Sequence, residues 1–162
     1  MKTEIIEGQV NEIDTALLEA ELKGALDGEV RFDNGSRAAY ATDGSNYRQV
    51  PIGVVIPKNE NDVIQTINIC RKYKAPVLSR GGGTSLAGQC CNVAVIIDHS
   101  KYFNQILYIN KEKKLVSVQP GIVLDEVRNA TQREAGLTFG PDPATRTHCA
   151  IGGMLGNNFC GV

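Results

Sequence analysis

The sequence predicts an α+β fold, and three observations lead to that class. Short apolar runs on either side of an amphipathic helical stretch, between residues 53 and 79, indicate a β-α-β unit. Alternating apolar and polar residues from 105 to 119 indicate an antiparallel hairpin. Glycine-rich segments at residues 80–88 and 140–161 mark places where the backbone turns tightly or approaches a partner closely.

The chain before the β-α-β unit is predicted to be mainly helical. Residues 14–26 carry apolar side chains at a helical spacing, with Asp14 or Thr15 as the N-cap. Turns at residues 33–36 and 43–46, rich in Asp, Asn, Gly and Ser, enclose a short helix.

The β-α-β unit begins with a buried strand at residues 53–57, which ends in a proline. A helix follows, capped by Asn59 or Asn61, and the second strand covers residues 76–79. Connections of this kind are right-handed almost without exception. The first glycine segment starts at the carboxyl end of the second strand, the edge at which open α/β sheets bind ligands.

The remaining elements complete the α+β pattern. Residues 93–98 form a third apolar strand, and residues 105–119 form the hairpin with a charged turn at its tip. An amphipathic helix then covers residues 123–135, and Gly136 stands where a helix C-terminus favours glycine.

The composition excludes several classes of protein. The 162 residues carry a net charge of −1, too little positive charge for a nucleic-acid-binding surface. No apolar stretch approaches the roughly 20 residues of a membrane-spanning helix, and the acidic amino terminus is unlike a signal peptide. We expect a cytoplasmic protein with free thiols, because the five cysteines lack metal-binding or redox spacing: Cys70, Cys90, Cys91, Cys149 and Cys160.

The first glycine segment, Arg80–Gly88, combines three successive glycines with the hydroxyls of Thr84 and Ser85. Exposed backbone N–H groups bordered by hydroxyls form a phosphate-binding concavity. The segment is neither a P-loop nor a Rossmann fingerprint, since no lysine follows Gly88 and Leu86 stands where the fingerprint needs glycine. The alternative interpretation is a tight turn between strands.

A second glycine-rich region favours the ligand interpretation. Gly140–Pro143 and Ile151–Gly153 follow about sixty residues later. Two regions of close backbone approach in one small domain indicate a single extended ligand contacted twice. This favours a dinucleotide over a single phosphate.

In this order, these segments resemble the FAD-binding (PCMH-type) domain of the vanillyl-alcohol oxidase/p-cresol methylhydroxylase flavoprotein superfamily. Within it, the chain is similar to the FAD-linked oxidase branch of glycolate oxidase GlcD subunits, D-lactate dehydrogenases and D-2-hydroxyglutarate dehydrogenases. The likeness looks closest to the large bacterial FAD/iron–sulfur members. The residues that carry the match are Pro57 with the following helix, Arg80–Gly88, Pro120-Gly121, Gly140–Thr145, Ile151–Gly153 and Asn157-Asn158.

The resemblance implies a PCMH-type FAD-binding fold that contains the first α/β subdomain, with a mixed sheet, and the start of the second. Residues 1–48 are then an N-terminal helical extension. Residues 49–162 are an FAD-binding domain that stops before its C-terminal part and before the substrate cap domain. We therefore expect the chain to be an N-terminal fragment of a longer flavoenzyme.

The resemblance also assigns the cofactor contacts. Arg80–Gly88 wraps the FAD pyrophosphate through backbone N–H groups, and the segments matching Pro141–Thr145 and Gly152–Asn157 line the flavin side. Some relatives attach FAD through a histidine in the glycine loop; Thr84 and Ser85 stand there, so FAD is expected to be non-covalent. The predicted cofactor-binding residues are Arg80, Gly81, Gly82, Gly83, Thr84, Ser85, Leu86, Ala87, Gly88, Pro141, Asp142, Ala144, Thr145, Gly152, Gly153, Asn157 and Gly161.

No catalytic or metal-ligating residue is predicted within the chain. His99 and His148 are the only histidines, and isolated histidines are usually structural or solvated. Phe159 departs from the family, which commonly has a small polar residue there, and this bulky side chain could disturb the flavin contact locally.

The function implied for the parent protein is oxidation of a 2-hydroxy acid, such as D-lactate, glycolate or D-2-hydroxyglutarate. Hydride moves to FAD and electrons pass to a second acceptor, with the fragment alone inactive. Three alternatives stay open: a relative acting on another alcohol, a nucleotide-binding module without redox work, and a folding fragment without FAD affinity. The parent would be cytoplasmic or peripheral to the inner membrane, and an exposed groove could make the fragment self-associate.

Overall fold

A computed structural model describes residues 13–159, which form two compact units. Unit 1 contains the described residues up to Ser79 together with Ser85–Asp98. Unit 2 contains Arg80–Thr84 together with the described residues from His99 onward. The first glycine segment is therefore divided between the two units.

The elements of unit 1, in chain order, are α1 (Thr15–Ala25), β1 (Glu29–Arg31), α2 (Asn34–Ala39), β2 (Gly53–Ile56), α3 (Glu60–Lys72), β3 (Val77–Arg80, whose last residue belongs to unit 2) and β4 (Val95–Asp98). The strands form a four-stranded mixed sheet in the order β1-β2-β4-β3. β1 pairs antiparallel with β2, and β2 pairs parallel with β4. The crossover from β2 through α3 to β3 is the β-α-β unit predicted from the sequence.

The central strands β2 and β4 are buried along their whole length, as expected for apolar runs covered on both faces. Val55 and Val95 belong to a core that also takes in Leu18 and Leu22 of α1 and Ile69 of α3. Burying one such aliphatic side chain contributes about 1.5–3 kcal/mol, so this core stabilises the two central strands of the sheet.

Side-chain caps begin all three helices described in unit 1. Asp14, Asp33 and Asn59 each accept a hydrogen bond from the backbone N–H three residues later, at 3.0, 2.8 and 2.9 Å. A cap of this kind is worth about 1 kcal/mol. The N-caps predicted for α1 and α3 are thus confirmed. The turn predicted at residues 33–36 is wrong, because the Asp33 cap makes these residues the first turn of α2.

Unit 2 contains β5 (Ile106–Asn110), β6 (Leu115–Val118), α4 (Leu124–Ala135) and α5 (Ile151–Gly156). The strands form an antiparallel hairpin that packs one face on a core shared with both helices. Gly136 ends α4 in the left-handed conformation at φ 68°, as the sequence predicts. The buried residues of this core are Ile122, Leu124, Val127, Cys149, Ile151 and Met154.

Two elements were missed by the sequence analysis. β1 has only three half-buried residues, too short for an alternating pattern to show. α5 contains three glycines among its six residues, a composition with poor helix propensity. Its helical form follows from tertiary packing, since Ile151 and Met154 are buried in the core of unit 2.

Candidate functional site

The first half of the glycine segment, Arg80–Thr84, lies against the chain that leads into α5, within unit 2. A Cβ atom at Gly81 would lie 2.8 Å from the Cβ of Ala150, and one at Gly82 would overlap the carbonyl oxygen of His148. Only glycine fits where two backbones come this close. These two glycines are therefore required by packing within the protein.

Gly83 continues the turn in the left-handed conformation, at φ 66°. The Arg80 guanidinium lies beside it, since a Cβ at Gly83 would be 2.6 Å from Nη2. The Arg80 carbonyl oxygen accepts a hydrogen bond from the His99 N–H at 3.1 Å. The Arg80 backbone therefore fixes the start of the segment, and its side chain occupies the space beside Gly83.

The backbone N–H groups of residues 81–86 can serve as hydrogen-bond donors to a ligand. Within the described part of the chain, none of them donates a hydrogen bond to another protein group. A series of such N–H groups around a residue at positive φ forms an anion-binding nest. These donors are therefore available to a diphosphate, and an open tight turn would leave them available as well.

The second half of the segment, Ser85–Gly88, belongs to unit 1 and is held differently. The Ser85 hydroxyl accepts hydrogen bonds from the N–H groups of Ala87 (3.4 Å) and Gln89 (3.3 Å) and donates to the Gln89 side chain. Leu86 is 79% exposed. Gly88 is left-handed at φ 78°. Local hydrogen bonds therefore shape this half, whereas backbone packing shapes the first.

Asp43 is a residue of this region that the sequence analysis did not assign to the site. Its carboxylate accepts hydrogen bonds from the N–H groups of Ser45 (2.8 Å) and Cys90 (3.2 Å). Burial raises the pKa of Asp43, but these hydrogen bonds, with one from Cys91, outweigh it and bring the pKa below its ordinary value. The only sequence signal was its position in a predicted turn.

The predicted cofactor residue Asp142 is engaged by two guanidinium groups of unit 2. Its carboxylate pairs with Arg128, and Arg146 Nη1 lies 3.2 and 3.3 Å from its two oxygens. Arg146 Nε also lies 3.6 Å from Asp125 on α4. Hydrogen bonds from Arg128 and Arg146 hold the pKa of Asp142 below its usual value. Asp142 therefore braces the loop after α4 onto that helix.

The glycines of α5 differ in their surroundings. A Cβ at Gly152 would lie 2.6 Å from the Cβ of Pro120, and the Gly152 N–H donates to the Pro120 carbonyl at 2.8 Å. Gly152 is thus needed for packing. At Gly153, a Cβ would meet no described atom within 4 Å. Of these two, Gly153 is the one with open space that a ligand could fill.

The other predicted residues of this region have mixed settings. Thr145 accepts hydrogen bonds at its carbonyl oxygen from the N–H groups of His148 and Cys149, both at 2.8 Å. Pro141 is half-buried, whereas the side chains of Ala144 and Asn157 are exposed. Gly161 lies outside the described residues. The structure thus brings Gly81 and Gly82 next to the second glycine region, while the cofactor contacts themselves stay predictions.

One cavity in unit 1 is lined by residues outside the glycine segment. This cavity of about 230 Å³, lined by residues including Glu19, Arg37 and Val50, is smaller than the roughly 300–1,000 Å³ of small-molecule pockets. Residues 13–159 hold no group of three or more His, Cys, Asp or Glu side chains able to bind a metal. None of their helices has the length and apolar character to cross a bilayer.

The described cysteines are free, as predicted. Burial raises the pKa of Cys70 to about 11, and it also raises the pKa of Cys149. Thiols with raised pKa values are poor nucleophiles, because the thiolate is the reactive form. Neither cysteine is placed for catalysis.

Comparison with known proteins identifies the family. A family model described as FAD binding domain matches residues 51–162. The chain belongs to this FAD-binding domain family. FAD is therefore the cofactor of the domain. The prediction of FAD from the sequence is confirmed.

Curated relatives of this FAD-binding domain are oxidoreductases. D-2-hydroxyglutarate dehydrogenase of Pseudomonas putida is 33% identical over 147 residues, covering 89% of this chain and 14% of the relative. Glycolate oxidase subunit GlcD of Bacillus subtilis is 32% identical, covering 85% of this chain and 30% of the relative. Mitochondrial D-lactate dehydrogenase [cytochrome] of Kluyveromyces lactis is 38% identical over 118 residues, with 70% and 20% covered. The chain thus spans less than a third of each of these relatives.

Solved structures confirm the predicted fold. The chain matches alkyldihydroxyacetonephosphate synthase with a TM-score of 0.79 at 21% identity, over 90% of this chain and 30% of that one. It matches substrate-bound p-cresol methylhydroxylase with a TM-score of 0.72 at 21% identity, over 93% of this chain and 29% of that one. The mixed α/β architecture of the PCMH-type FAD-binding fold is therefore the fold of this chain.

Proposed function

We propose that this chain is the FAD-binding part of a flavin-dependent dehydrogenase that oxidises a small 2-hydroxy acid. The three relatives described above are named for D-2-hydroxyglutarate, glycolate and D-lactate, which share a hydroxyl group on the carbon next to a carboxylate. Oxidation at that carbon removes a hydride and a proton. The electrons then pass to a second acceptor in the longer protein.

The observation that carries the proposal is the series of free N–H donors at residues 81–86. The FAD pyrophosphate is the group of the cofactor that needs such donors. Gly83, at positive φ, and the neighbouring hydroxyls of Thr84 and Ser85 suit the same group. The residues present therefore fit FAD at its diphosphate.

The same residues favour a cofactor that is held without a covalent bond. Residues 80–89 contain no histidine, the residue through which the family resemblance described above implies a covalent link in some members. When bound, FAD supplies the ring that accepts the hydride. This chain would contribute binding and orientation: the N–H groups of residues 81–86 would hold the diphosphate, and the open space at Gly153 would leave room for another part of the ligand.

A titration of the purified chain with FAD tests the proposal. We expect a saturable change in flavin fluorescence together with a rising melting temperature, since a ligand of the folded state stabilises it by about 2.7 kcal/mol at a hundred times Kd. Riboflavin, which lacks the diphosphate, is the control and should bind far more weakly. Equal responses to FAD and riboflavin would contradict a diphosphate site at the glycine segment.

We further expect no turnover by the chain alone. The chain matches 14% of the length of the first relative and 30% of the second, so most of each oxidoreductase has no counterpart in it. A dye-reduction assay with FAD and D-lactate checks this expectation. Measurable D-lactate oxidation would show that the described residues hold a complete catalytic site.

A further inference from the structure

The segment Thr42–Arg48, here called the support turn, contacts the end of the glycine segment and the residues that follow it, within unit 1. Thr42 and Arg48 form an isolated antiparallel bridge that closes the turn. Inside it, the Asp43 carboxylate accepts from the Ser45 N–H at 2.8 Å, and the Ser45 hydroxyl accepts from the Tyr47 N–H at 3.1 Å. Side-chain acceptors of this type stabilise a turn locally. The support turn is thus ordered by its own residues.

Three contacts join the support turn to residues 88–91. The second carboxylate oxygen of Asp43 accepts a hydrogen bond from the Cys90 N–H at 3.2 Å. The Tyr47 ring lies against Gly88, where a Cβ would be 2.9 Å from Cδ2. The Cys91 thiol lies 3.9 Å from the Tyr47 carbonyl oxygen. These contacts join residues more than forty positions apart in the sequence. The loop is therefore held by long-range contacts as well as by the local hydrogen bonds of Ser85.

The Asp43 carboxylate uses its two oxygens for different partners: Oδ1 for Ser45 within the turn and Oδ2 for Cys90 on the loop. An amide at this position has one oxygen and one NH₂ group, so it can accept only one of the two hydrogen bonds. The N–H group of Ser45 or Cys90 that loses its acceptor would then face the NH₂ group of the asparagine, which is itself a donor. Asparagine is nearly the same size as aspartate, so it removes one of the two hydrogen bonds that link the turn and the loop without creating a cavity.

A carboxylate here acts against the charge of the proposed ligand. A diphosphate carries the same sign of charge as Asp43, and a carboxylate cannot donate a hydrogen bond to it. Asp43 is therefore unsuited to hold the diphosphate itself, whereas its two hydrogen bonds shape the turn and the loop. Removal of the charge therefore has two opposite effects on FAD affinity: loss of the repulsion would tighten binding, and loss of the loop contact would weaken it.

We propose that Asp43 is a positioning residue, which fixes the loop Ser85–Cys91 in the conformation that receives the diphosphate of FAD. The inference rests on the proposed function above, because it takes the diphosphate to bind at the glycine segment. Asp43 anchors the end of the loop by accepting the Cys90 N–H, and the Tyr47 ring packs against Gly88.

The test compares Asp43→Asn with a matched control, Asp33→Asn. Asp33 lies in the same unit and also accepts a backbone N–H, from Ser36 at 2.8 Å, but it caps α2 and does not contact the loop. We expect Asp43→Asn to weaken FAD about tenfold or more, and Asp33→Asn to change it less than twofold. Tenfold corresponds to about 1.4 kcal/mol. If Asp43 acted only through its charge, Asp43→Asn would instead tighten FAD.

Two readouts separate positioning from general destabilisation. In the ligand-free chain, amide hydrogen exchange of Cys90 and its neighbours should accelerate in Asp43→Asn and stay unchanged in Asp33→Asn. The ³¹P resonances of bound FAD should shift in Asp43→Asn alone. Unchanged exchange, unchanged ³¹P resonances or tighter FAD binding in Asp43→Asn would each overturn the inference.

The outcomes also distinguish this inference from the proposed function. Wild-type chain that fails to bind FAD would overturn both. Wild-type chain that binds FAD, with Asp43→Asn binding equally well, would overturn the inference alone. Tyr47→Ala serves as a second variant should Asp43→Asn not fold; Tyr47 is 63% exposed, so its truncation spares the core, and we expect a weakening of threefold or more.

Discussion

The two halves of the glycine segment are held in place by different physical means. Arg80–Thr84 is fixed by backbone against backbone, with Gly81 and Gly82 lying on Ala150 and His148. Ser85–Gly88 is fixed by hydrogen bonds and by the support turn, with Leu86 and Ala87 exposed. Gly81 and Gly82 therefore leave no room for an added side chain, whereas the second half is held by the Ser85 hydroxyl and by contact with the support turn.

The strongest way to break this comparison is Gly82→Ala. The new Cβ would overlap the His148 carbonyl oxygen and lie 3.0 Å from the carbonyl carbon, so the backbone must move. Overpacking of this severity costs roughly 3 kcal/mol. Thermal unfolding should show a fall of about 6–12 °C in Tm. A melting temperature within 2 °C of wild type would mean that the two backbones are not held as closely as described.

A smaller effect, and one of opposite sign, is expected for Gly153→Ala, which is also the control for the first prediction. No described atom lies within 4 Å of the added Cβ, and alanine favours the helix of α5 by about 0.5–1 kcal/mol over glycine. We expect the ligand-free chain to be slightly more stable and FAD to bind about tenfold more weakly. Stabilisation with unchanged FAD affinity would remove Gly153 from the proposed contacts.

The smallest effect concerns the loop braced by Asp142. Arg128 and Arg146 lower the pKa of the Asp142 carboxyl group. The carboxylate therefore makes its whole contribution to the free energy of unfolding above the ordinary aspartate pKa, and this contribution is lost as the pH falls through the lowered pKa. Melting curves from pH 7 to pH 2 should show a weaker acid dependence for Asp142→Asn than for wild type. Glu134→Gln, which removes an exposed pair with Arg133, is the control and should leave the profile unchanged.

Much of the fold was predictable because its signals are local. The apolar strands on either side of α3, the caps at Asp14 and Asn59, and Gly136 after α4 each depend on neighbouring residues. β1 and α5 were missed because their formation depends on partners elsewhere in the chain. β1 is three residues that pair with β2, and α5 overcomes its glycine content by burying Ile151 and Met154.

The candidate site divides in the same way. The position of the first glycine segment could be predicted from three successive glycines at the end of a strand. The packing of Gly82 on His148 could not, because the two residues are far apart in sequence and no pattern links them. The Asp43 contact with Cys90 spans 47 residues and was invisible for the same reason.

The division of the chain between its units has a consequence for anyone who wishes to take the protein apart. Unit 2 includes Arg80–Thr84, a five-residue insert from the part of the sequence that otherwise builds unit 1. Cleavage after Asp98 would leave this insert attached to the amino-terminal piece. The carboxyl-terminal piece would then lack the backbone that lies on His148 and Ala150. No single peptide-bond cut can yield both units intact, so split or permuted versions must keep the glycine segment covalently continuous on both sides.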